Sequence, residues 1–363
     1  MTTHMKPTVG KKIKSISLAE GEKVYLGVDV HRRSYSAAVW SDQRGLIGTW
    51  TQPAEPTLLV AKLSPFAAQV AWVVYEAGPT GYALVRVLRT AGFKADVIAT
   101  SKMLKTTARE GKSDRVDCRR LAEHAAKGLL KIIRVPTEEE EHDRQVMRLR
   151  EQMVQKMRLA RQQIKSFLLV HGVAYEGSLK AWSEAGIKMM RELEMPEALR
   201  TCLDVLLDAE RQAREQVMRL NQAVAKLMMT KRHKAKVRVL RSVPGVGPVT
   251  AMTFRTELVA PERFKEPREI AKMIGLAPLV AESGDRRREG AISKAGNWRL
   301  RTILVEAAWR WVQKDEAARQ VYRRFIRNTG DVKKAIVAMA RKLAILLWRM
   351  VTREEMYRVR AAA

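Results

Sequence analysis

Four carboxylates stand out in a sequence with a large excess of positive charge. Asp29 lies near the end of the segment VYLGVDV, and Glu76 closes the apolar segment AWVVYEAG. Asp114 and Asp117 are three residues apart in GKSDRVDCRR, so a helix would present both on one face. Four such groups at one sheet edge would repel one another unless a cation lay between them. Mg²⁺, or Mn²⁺, suits oxygen ligands and phosphate substrates, so the set predicts a metal site that acts on a phosphodiester.

Each carboxylate taken alone also has a structural interpretation. Asp29 could cap a turn, Glu76 could pair with an arginine, and the two later aspartates could lie on a solvated helix face among arginines. His31 is interpreted as a surface residue and not as a ligand. As an ordered set on a strand, a strand end and a helix, the four carboxylates favour the metal site.

Ser283 is the second group that could do chemistry, because it precedes Gly284 in a predicted loop rich in basic residues. The basic residues that follow it are Arg286, Arg287, Arg288, Lys294, Arg299 and Arg301. A serine hydroxyl attacks phosphorus when its proton is removed and the developing negative charge is stabilised. Arginine can grip phosphate oxygens in a bidentate manner. An isolated Ser-Gly pair in a basic loop is nevertheless more often a turn than a nucleophile.

The glycine turn in RSVPGVGPVTA is a candidate phosphate contact. Gly245 and Gly247 separate two helical stretches, as in a helix-hairpin-helix element, where backbone N–H groups at a helix N-terminus face a phosphate. The alternative is a tight helix connection in which glycine supplies a positive φ angle. Residues 232–301 contain sixteen Lys or Arg against seven Asp or Glu, which favours the phosphate contact.

The pattern of strands and helices that must position these residues predicts an α/β domain over residues 24–135. VYLGVDV, SYSAAVW and LIGTWTQ are predicted to form a strand and a hairpin. QVAWVVYEA and FKADVIA are predicted strands separated by a helix, and a further helix is predicted from Ser101 to Leu130. Strands in meander order followed by alternating strands and helices resemble the ribonuclease-H-like (RuvC-like) fold of Holliday-junction resolvases. Residues 1–23 are predicted to be a disordered basic tail.

The remaining chain is predicted to be mostly α-helical. Long helices over about 137–171 and 196–234, joined by a smaller helical insert, predict an antiparallel coiled-coil arm or assembly region over residues 136–236. The apolar positions predicted for the first of these helices include Leu149 and Ile164. Residues 237–363 are predicted to be a C-terminal domain that contains the serine and the glycine turn, with the remainder helical.

Composition restricts the class of partner. The formal net charge of the 363-residue chain is +29, which favours a polyanionic partner, and charge spread along the chain favours nucleic acid over a membrane surface. The two cysteines, Cys118 and Cys202, suggest a reducing compartment. Neither a signal peptide nor an apolar run long enough for a membrane span is evident. The expected location is the cytosol or nucleoid.

Six segments, in this order, resemble the transposases of the insertion sequence 110 family, also called DEDD transposases. The segments are GVDVHRRSYSAAVW, YEAGPTGYALVRVL, KSDRVDCRRLA, RSVPGVGPVTA, IGLAPLVAESGDRRREGAISKAGNWRLRTILVEAAW and AIVAMARKLAILLWRM. The resemblance implies a DNA recombinase that excises and inserts a mobile element. It also implies that Asp29, Glu76, Asp114 and Asp117 bind Mg²⁺ and that Ser283 is the nucleophile.

The same resemblance implies partners and an assembly. Family members use a structured noncoding (bridge) RNA whose loops pair with target and donor DNA, so that base pairing selects the sequence. A tetramer on paired duplexes is implied, with the helical arm as the assembly element. Two other functions stay open: a metal-dependent junction resolvase or nuclease in which water attacks, and a non-catalytic nucleic-acid-binding protein that would tolerate loss of all four carboxylates.

Overall fold

The structure is a computed structural model that describes residues 18–99, 114–173, 182–283 and 286–358. At residues 114–116, 280–283 and 286–289 it describes the backbone alone. The chain divides into two compact units, Met1–Val135 and Pro136–Ala363. The N-terminal unit is mixed α/β around a central sheet, and the C-terminal unit is largely helical.

The N-terminal unit is built on one sheet whose strand order is β3-β2-β1-β4-β5-β6. The first three strands form an antiparallel meander, β1 and β5 flank β4 in parallel, and β6 pairs with β5 in the antiparallel direction. The strands are β1 (Val24–Val30), β2 (Ser34–Ser41), β3 (Gly45–Pro53), β4 (Val70–Glu76), β5 (Ala95–Ile98) and β6 (Ile132–Ile133). This order agrees with the predicted meander followed by alternating strands and helices, and it is consistent with a RuvC-like fold.

Helices cover both faces of this sheet because its central strands are apolar on both sides. Helices α1 (Pro56–Leu63) and α2 (Ala83–Thr90) supply Leu59, Leu84 and Leu88 to a core with the residues of one face. Helix α3 (Asp114–Ala126) packs on the other face, where Leu121 and Ala125 join Trp72, Val74 and Ile98. The predicted helix over 101–130 is therefore observed from residue 114 to residue 126, and its earlier part lies outside the described residues.

The described end of the predicted N-terminal tail is folded. Glu22 is fully buried and accepts hydrogen bonds from the Ser41 hydroxyl and from Arg44 Nε and Nη2, the latter two at 2.8 and 2.7 Å. The backbone N–H of Ala19 also donates to Glu22 Oε2. Residues 18–23 thus belong to the N-terminal unit, whereas residues 1–17 lie outside the described part of the chain.

Two long antiparallel helices open the C-terminal unit, α4 (Glu138–Val170) and α6 (Glu197–Met228), with the short helix α5 (Glu184–Arg191) between them in sequence. The pairing is antiparallel because Arg150 bonds Asn221 whereas Arg161, further along α4, bonds Glu210. A capping box formed by Thr137 and Glu140 fixes the start of α4.

Two details of the predicted arm were wrong. The second helix does not continue to Lys234: it ends at Met228, where the Thr230 hydroxyl bonds the Leu227 carbonyl, and α7 (Lys231–Arg241) begins after Thr230. Leu149, predicted to lie on the apolar face, is exposed. The apolar positions continue across both helices, so sequence periodicity did not reveal the turn between them.

The rest of the C-terminal unit packs helices and one hairpin around a single core. The helices are α8 (Pro248–Leu258), α9 (Pro267–Ile274), α10 (Trp298–Lys314), α11 (Glu316–Thr329) and α12 (Val332–Arg353). Met147 of α4 and Val224 of α6 belong to the same core as these helices, which is why residues 136–363 form one compact unit. None of the described helices is long and apolar enough to span a membrane.

The prediction that the chain after the glycine turn is helical apart from a loop at Ser283 was wrong for one segment. Strands β7 (Pro278–Ser283) and β8 (Arg286–Ile292) form an antiparallel hairpin. The segment RRREGAI carries little apolar signal, and its strand conformation depends on hydrogen bonds to β7. Local sequence periodicity does not report such pairing.

Candidate functional site

Asp29 and Glu76 occupy equivalent positions on neighbouring parallel strands. In the β1–β4 register Val28 is opposite Tyr75, so the next residues, Asp29 and Glu76, follow side by side. Because side chains alternate along a strand, both lie on the sheet face of Gly27, which is the face covered by α3. The structure therefore brings together the two strand carboxylates that the sequence predicts as metal ligands.

Helix α3 approaches this edge of the sheet so closely that only glycine fits beneath it. A Cβ atom at Gly27 would lie 2.1 Å from the Cys118 carbonyl oxygen and 2.5 Å from the Ala122 nitrogen. Gly27 is two residues before Asp29, and the half-buried Asp117 lies in the first described turn of α3. The contact at Gly27 thus holds this turn of α3 near the end of β1.

The thiol of Cys118 is close to two of the carboxylates. Burial, followed by the negative charge of Asp29 and then that of Asp117, raises the pKa of Cys118 to about 11. The thiol is fully buried and stays protonated at neutral pH, so it is not a nucleophile. His31 Nε2 lies 3.1 Å from Asp29 Oδ2, although the imidazole is 48% exposed, as a surface residue would be.

The ligand types at this edge fit a hard divalent cation. Asp29, Glu76 and Asp117 offer only carboxylate oxygens, the donors that Mg²⁺ prefers. Among the described side chains no three His, Cys, Asp or Glu residues are grouped closely enough to hold a metal ion. The fourth predicted ligand, the carboxylate of Asp114, lies outside the described side chains.

Ser283 is not in a loop, as the sequence suggested, but is the last residue of β7. It is opposite Arg286 across the hairpin, at the end where the two strands connect. The intervening residues 284 and 285 lie outside the described residues, as do the side chains of Ser283, Arg286, Arg287 and Arg288. The backbone therefore locates the predicted nucleophile at the turn end of a basic two-stranded ribbon.

The opposite end of this hairpin is fixed by a compact set of backbone contacts. Gly275 and Gly296 have positive φ angles of 76° and 137°, and a Cβ atom at Gly296 would lie 2.4 Å from the Met273 carbonyl oxygen. The N–H of Asn297 donates to that same carbonyl at 2.8 Å. Both positions thus require glycine, because the φ angle is positive and because neighbouring atoms leave no room for a Cβ atom. The segment KAGN serves to join the hairpin to α9 and α10.

Arg301 and Arg299, which the sequence predicts to bind nucleic acid, form hydrogen bonds with other residues of the C-terminal unit. Arg301 Nη1 donates to the carbonyls of Ile274 and Lys294 at 3.0 and 3.1 Å, which ties the two sides of the hairpin base together. Arg299 Nε donates to Glu151 of α4 at 2.7 Å. Lys294 itself has a positive φ of 52°. A role for these three residues in binding nucleic acid stays a prediction.

The sequence analysis did not predict the buried ion pair that supports the base of the β7–β8 hairpin. Glu257 of α8 accepts two hydrogen bonds from Arg148 of α4, at 2.7 and 3.0 Å, and one from Asn297 Nδ2 at 2.7 Å. Asn297 also caps α10 by accepting from the Leu300 N–H. An asparagine directly before the apolar run of α10 is an N-cap signal that could have been recognised. The long-range partners Arg148 and Glu257 carry no local signal.

Close packing explains why the first residue of the glycine turn between α7 and α8 is glycine. Gly245 has a φ angle of 89°, and a Cβ atom there would lie 2.7 Å from the Trp311 backbone nitrogen in α10. Gly247 is the N-cap of α8 and has no atom within 4 Å of a Cβ position. Gly245 thus fits the alternative of a tight helix connection, and the favoured prediction, phosphate binding by Gly245 and Gly247, stays a prediction.

Comparison with known proteins identifies both halves of the chain. Residues 26–172 match a DEDD-type IS110 transposase domain, and residues 237–323 match the transposase IS116/IS110/IS902 family. The protein y4qE of Sinorhizobium fredii, named as a transposase, is 30% identical over 81% of this chain and 73% of its own length. The transposase for insertion sequence element IS1111A of Coxiella burnetii is 25% identical over 80% of each chain.

The transposase for insertion sequence element IS1533 of Leptospira borgpetersenii is 24% identical over 79% of this chain and 85% of its own length. A DEDD domain of this kind implies a divalent metal ion. The two matched ranges fall in both compact units. The chain therefore belongs to the IS110 family of transposases, enzymes that cleave and rejoin DNA.

Proposed function

We propose that the chain mobilises an insertion sequence by serine-dependent DNA recombination, with Ser283 as the nucleophile and Mg²⁺ as the metal. The observation that carries the metal half is the side-by-side position of Asp29 and Glu76, beneath helix α3 (Asp114–Ala126). The hairpin that ends at Ser283, with its base fixed at Gly275 and Gly296, supports the serine half.

The four carboxylates Asp29, Glu76, Asp114 and Asp117 would hold the ion, and their oxygens are of the type that Mg²⁺ and Mn²⁺ accept. When bound, the ion would supply positive charge for phosphate oxygens. The strand carboxylates have little freedom, because their backbones are paired within the sheet. Asp117 is held through the packing of α3 on Gly27. The site is thus prepared by the fold rather than by long flexible side chains.

The cleavage step that we propose is a direct displacement at phosphorus. The Ser283 Oγ forms a bond to phosphorus while the bond from phosphorus to the 3′ oxygen breaks. The hydroxyl proton of the serine is lost, and the departing 3′ oxygen gains a proton. The products are a 5′-phosphoserine strand and a free 3′-hydroxyl, so the energy of the ester is retained and no ATP is needed.

Rejoining reverses this displacement with a different 3′-hydroxyl. The 3′ oxygen of the partner strand attacks the phosphoserine phosphorus, the bond from phosphorus to Oγ breaks, and the serine regains its proton. The neighbouring arginines 286–288 are suited to bind the phosphate in both steps, because guanidinium groups can make bidentate contacts with its oxygens. Exchange between two duplexes follows when the attacking hydroxyl comes from the other duplex.

We further propose that a structured noncoding RNA guides this exchange and that the active assembly is a tetramer. The net charge of +29 supports binding of both RNA and DNA. The family resemblance supports base pairing as the source of sequence choice. The antiparallel pair α4 and α6 is the proposed assembly element. We expect the protein to act in the bacterial cytosol, where its DNA substrate lies.

A covalent-adduct assay tests the proposal. Purified protein, its RNA, end-labelled cognate duplexes and Mg²⁺ are combined, and the products are separated on a denaturing gel. We expect a protein–DNA adduct that is lost in Ser283→Ala and in Asp114→Asn. Matched controls that should retain it are Ser293→Ala, just beyond the same hairpin, and Glu123→Gln, a half-buried carboxylate on α3 that pairs with Lys127.

The competing function is a metal-dependent resolvase or nuclease, because adjacent strand carboxylates would serve water attack equally well. That enzyme would cleave without an adduct, would tolerate Ser283→Ala and would still be inactivated by Asp114→Asn. This pattern would refute the serine mechanism and leave the metal site in place.

A further inference from the structure

The β7–β8 hairpin carries Ser283 at its far end, so a small rotation at its base moves the serine backbone by a large distance. Pro278 begins β7 and Ser283 ends it. An antiparallel strand rises about 3.4 Å per residue, which places Ser283 about 17 Å from Pro278. A rotation of about 5° at Pro278 would therefore displace the serine by about 1.5 Å. Displacements of this size slow a reaction that needs near contact between the reacting atoms.

The described side chains of the hairpin contribute little to its orientation. Among hairpin residues whose side chains are described, Ile292 alone packs against the core of the C-terminal unit. Leu279 is 56% exposed, and Gly290 and Ala291 are exposed as well. The orientation of this part of the hairpin therefore depends on its base, where the chain leaves α9 and later enters α10.

One guanidinium nitrogen links the entry and the exit of the hairpin. Arg301, in the first turn of α10, donates from Nη1 to the Ile274 carbonyl at 3.0 Å and to the Lys294 carbonyl at 3.1 Å. Ile274 ends α9 shortly before β7, and Lys294 follows β8. A Cβ atom at Gly275 would lie 2.5 Å from Arg301 Nη1, so glycine at that position leaves room for the guanidinium.

The two acceptor carbonyls suit a cationic donor. Ile274 lies in the last turn of α9, where helix carbonyls have no partner within the helix and the helix dipole is negative. Lys294 has a positive φ angle of 52° and lies outside the β7–β8 ladder. Hydrogen bonds from a charged donor are stronger than neutral ones. Arg301 is thus a strong link between two segments that their own elements leave with free carbonyl capacity.

These contacts limit what Arg301 can offer to a phosphate. An end-on bidentate contact uses an N–H group from each terminal nitrogen of the guanidinium. Nη1 has two N–H groups, and both are donated to the carbonyls at the hairpin base. Arg301 could therefore make an end-on phosphate contact only by releasing one side of the hairpin.

We propose that Arg301 is a positioning residue for the serine nucleophile. It joins the entry and the exit of the hairpin, and so it holds the backbone at Ser283 in one orientation without touching the DNA. Reaction rates depend steeply on such preorganisation. This inference rests on the proposed function, because it assigns Arg301 a role only if Ser283 attacks phosphorus.

Arg301→Gln tests the role in solution, because glutamine is too short to reach both carbonyls and has no charge. At saturating DNA we expect single-turnover adduct formation to slow by about ten- to hundred-fold. The affinity for duplex DNA and its dependence on salt should stay unchanged. A phosphate contact would instead lower the slope of log affinity against log salt by about 0.9, and saturating DNA would restore the rate. That result would overturn the proposal.

Two further variants make the test specific to this position. Arg301→Lys keeps the charge and an N–H donor on a stem one bond shorter, so its rate should lie between those of the parent protein and Arg301→Gln. Arg310→Gln removes an exposed arginine nine residues further along α10 and should react at the parent rate. Equal rates in the lysine and glutamine variants, or an equal loss in Arg310→Gln, would contradict a hydrogen-bonded link at Arg301.

Hydrogen exchange measures the hairpin base independently of activity. The N–H groups of Ser293 and Lys294 donate across the base to the carbonyls of Ala277 and Gly275 at 2.9 and 3.2 Å. In Arg301→Gln these two amides should exchange about ten-fold faster, while those around the buried Leu343 in α12 keep the parent rate. Unchanged exchange at the base would overturn the proposal.

The adduct assay on the parent protein separates this inference from the proposed function. If the parent protein forms no adduct, the proposed function fails and the role of Arg301 fails with it. If the parent forms the adduct and Arg301→Gln forms it at the same rate, the proposed function stands and the positioning role alone is overturned. The expected result is an adduct in both proteins, formed more slowly in Arg301→Gln at equal DNA affinity.

Discussion

Glu257 is a buried carboxylate whose three hydrogen bonds join α4, α8 and the start of α10. Arg148 binds both of its oxygens, and Asn297 reaches it from the segment that closes the serine hairpin. Charge-assisted bonds of this kind are stronger than neutral ones, and removal of one partner leaves the others unsatisfied. The residue is thus a structural support for the hairpin base, far in sequence from Ser283.

Glu257→Gln should lower the free energy of unfolding by about 1–3 kcal/mol, because the amide keeps the shape but loses the charge that Arg148 binds. Urea denaturation followed by circular dichroism measures the change. Glu306→Gln is the matched control, since Glu306 is an exposed carboxylate beside the same segment and should change stability by less than about 0.5 kcal/mol. An equal loss of stability in both variants would show that the buried ion pair does not stabilise the fold more than an exposed carboxylate does.

The same pair predicts a pH dependence in acid. Burial alone would raise the pKa of Glu257, but the hydrogen bonds and charge of Arg148, together with Asn297, outweigh burial and lower the pKa below its ordinary 4.5. A depressed carboxyl pKa stabilises the fold above the ordinary value and loses that contribution as the pH falls through the folded pKa.

The stability difference between the parent protein and Glu257→Gln should therefore be constant near pH 7 and shrink as the pH falls below 4.5. Parallel urea titrations at several pH values measure it. A difference that stayed the same or grew in this acid range would contradict the assigned pKa direction.

At the scale of elements, the packing of α3 on β1 is the contact on which the proposed metal site depends. The helix backbone lies against Gly27, so the position of the turn that carries Asp114 and Asp117 follows from the absence of a side chain in the strand. A shift of α3 would move the helix carboxylates relative to Asp29 and Glu76, which are fixed by the sheet.

Gly27→Ala should destabilise the N-terminal unit by about 1–3 kcal/mol, because its Cβ would clash with helix backbone that cannot rotate away. DNA cleavage should be lost even at temperatures where the variant is folded. Gly48→Ala in β3 is the control, since a Cβ there has no atom within 4 Å. Thermal unfolding and cleavage are measured on both, and a fully active Gly27→Ala would contradict the role of this contact.

Elements with a strong local signal were predictable from sequence. The central strands are continuous apolar runs, and α4 begins at a capping box, so their bounds agree with the predictions within a few residues. The hairpin at Ser283 and the break between α6 and α7 were missed because strand pairing in a charged segment and a turn inside a continuous apolar pattern leave no signal in the hydrophobic periodicity. The adjacency of Asp29 and Glu76 was predictable because both residues stand near the ends of predicted strands. The ion pair between Arg148 and Glu257 was not predictable, because neither residue carries a local sequence signal.

At the scale of the whole molecule, the two compact units carry different parts of the proposed chemistry. The carboxylates belong to Met1–Val135, and the serine belongs to Pro136–Ala363. Both units carry more basic than acidic residues, and this charge favours binding of nucleic acid in general. Binding and cleavage should therefore respond differently to removal of the divalent ion.

Chelation with EDTA should abolish cleavage while leaving the protein bound to DNA, because the cations that contact phosphate are side chains of the chain itself. Filter binding and a cleavage assay on the same sample measure the two properties. Restoring activity with Mg²⁺ or Mn²⁺ but not with Ca²⁺ would agree with a small, tightly held catalytic ion. Cleavage that persisted without divalent ions would contradict a metal role for the carboxylates.

The central claim is that Ser283 becomes covalently joined to DNA, and peptide mapping of the adduct tests it most directly. The adduct is trimmed with nuclease, digested with protease and sequenced by tandem mass spectrometry. The proposed mechanism predicts a nucleotide attached through its 5′-phosphate to Ser283 and to no other residue. Attachment at another side chain, or cleavage whose 5′-phosphate carries an oxygen from isotopically labelled water, would contradict it.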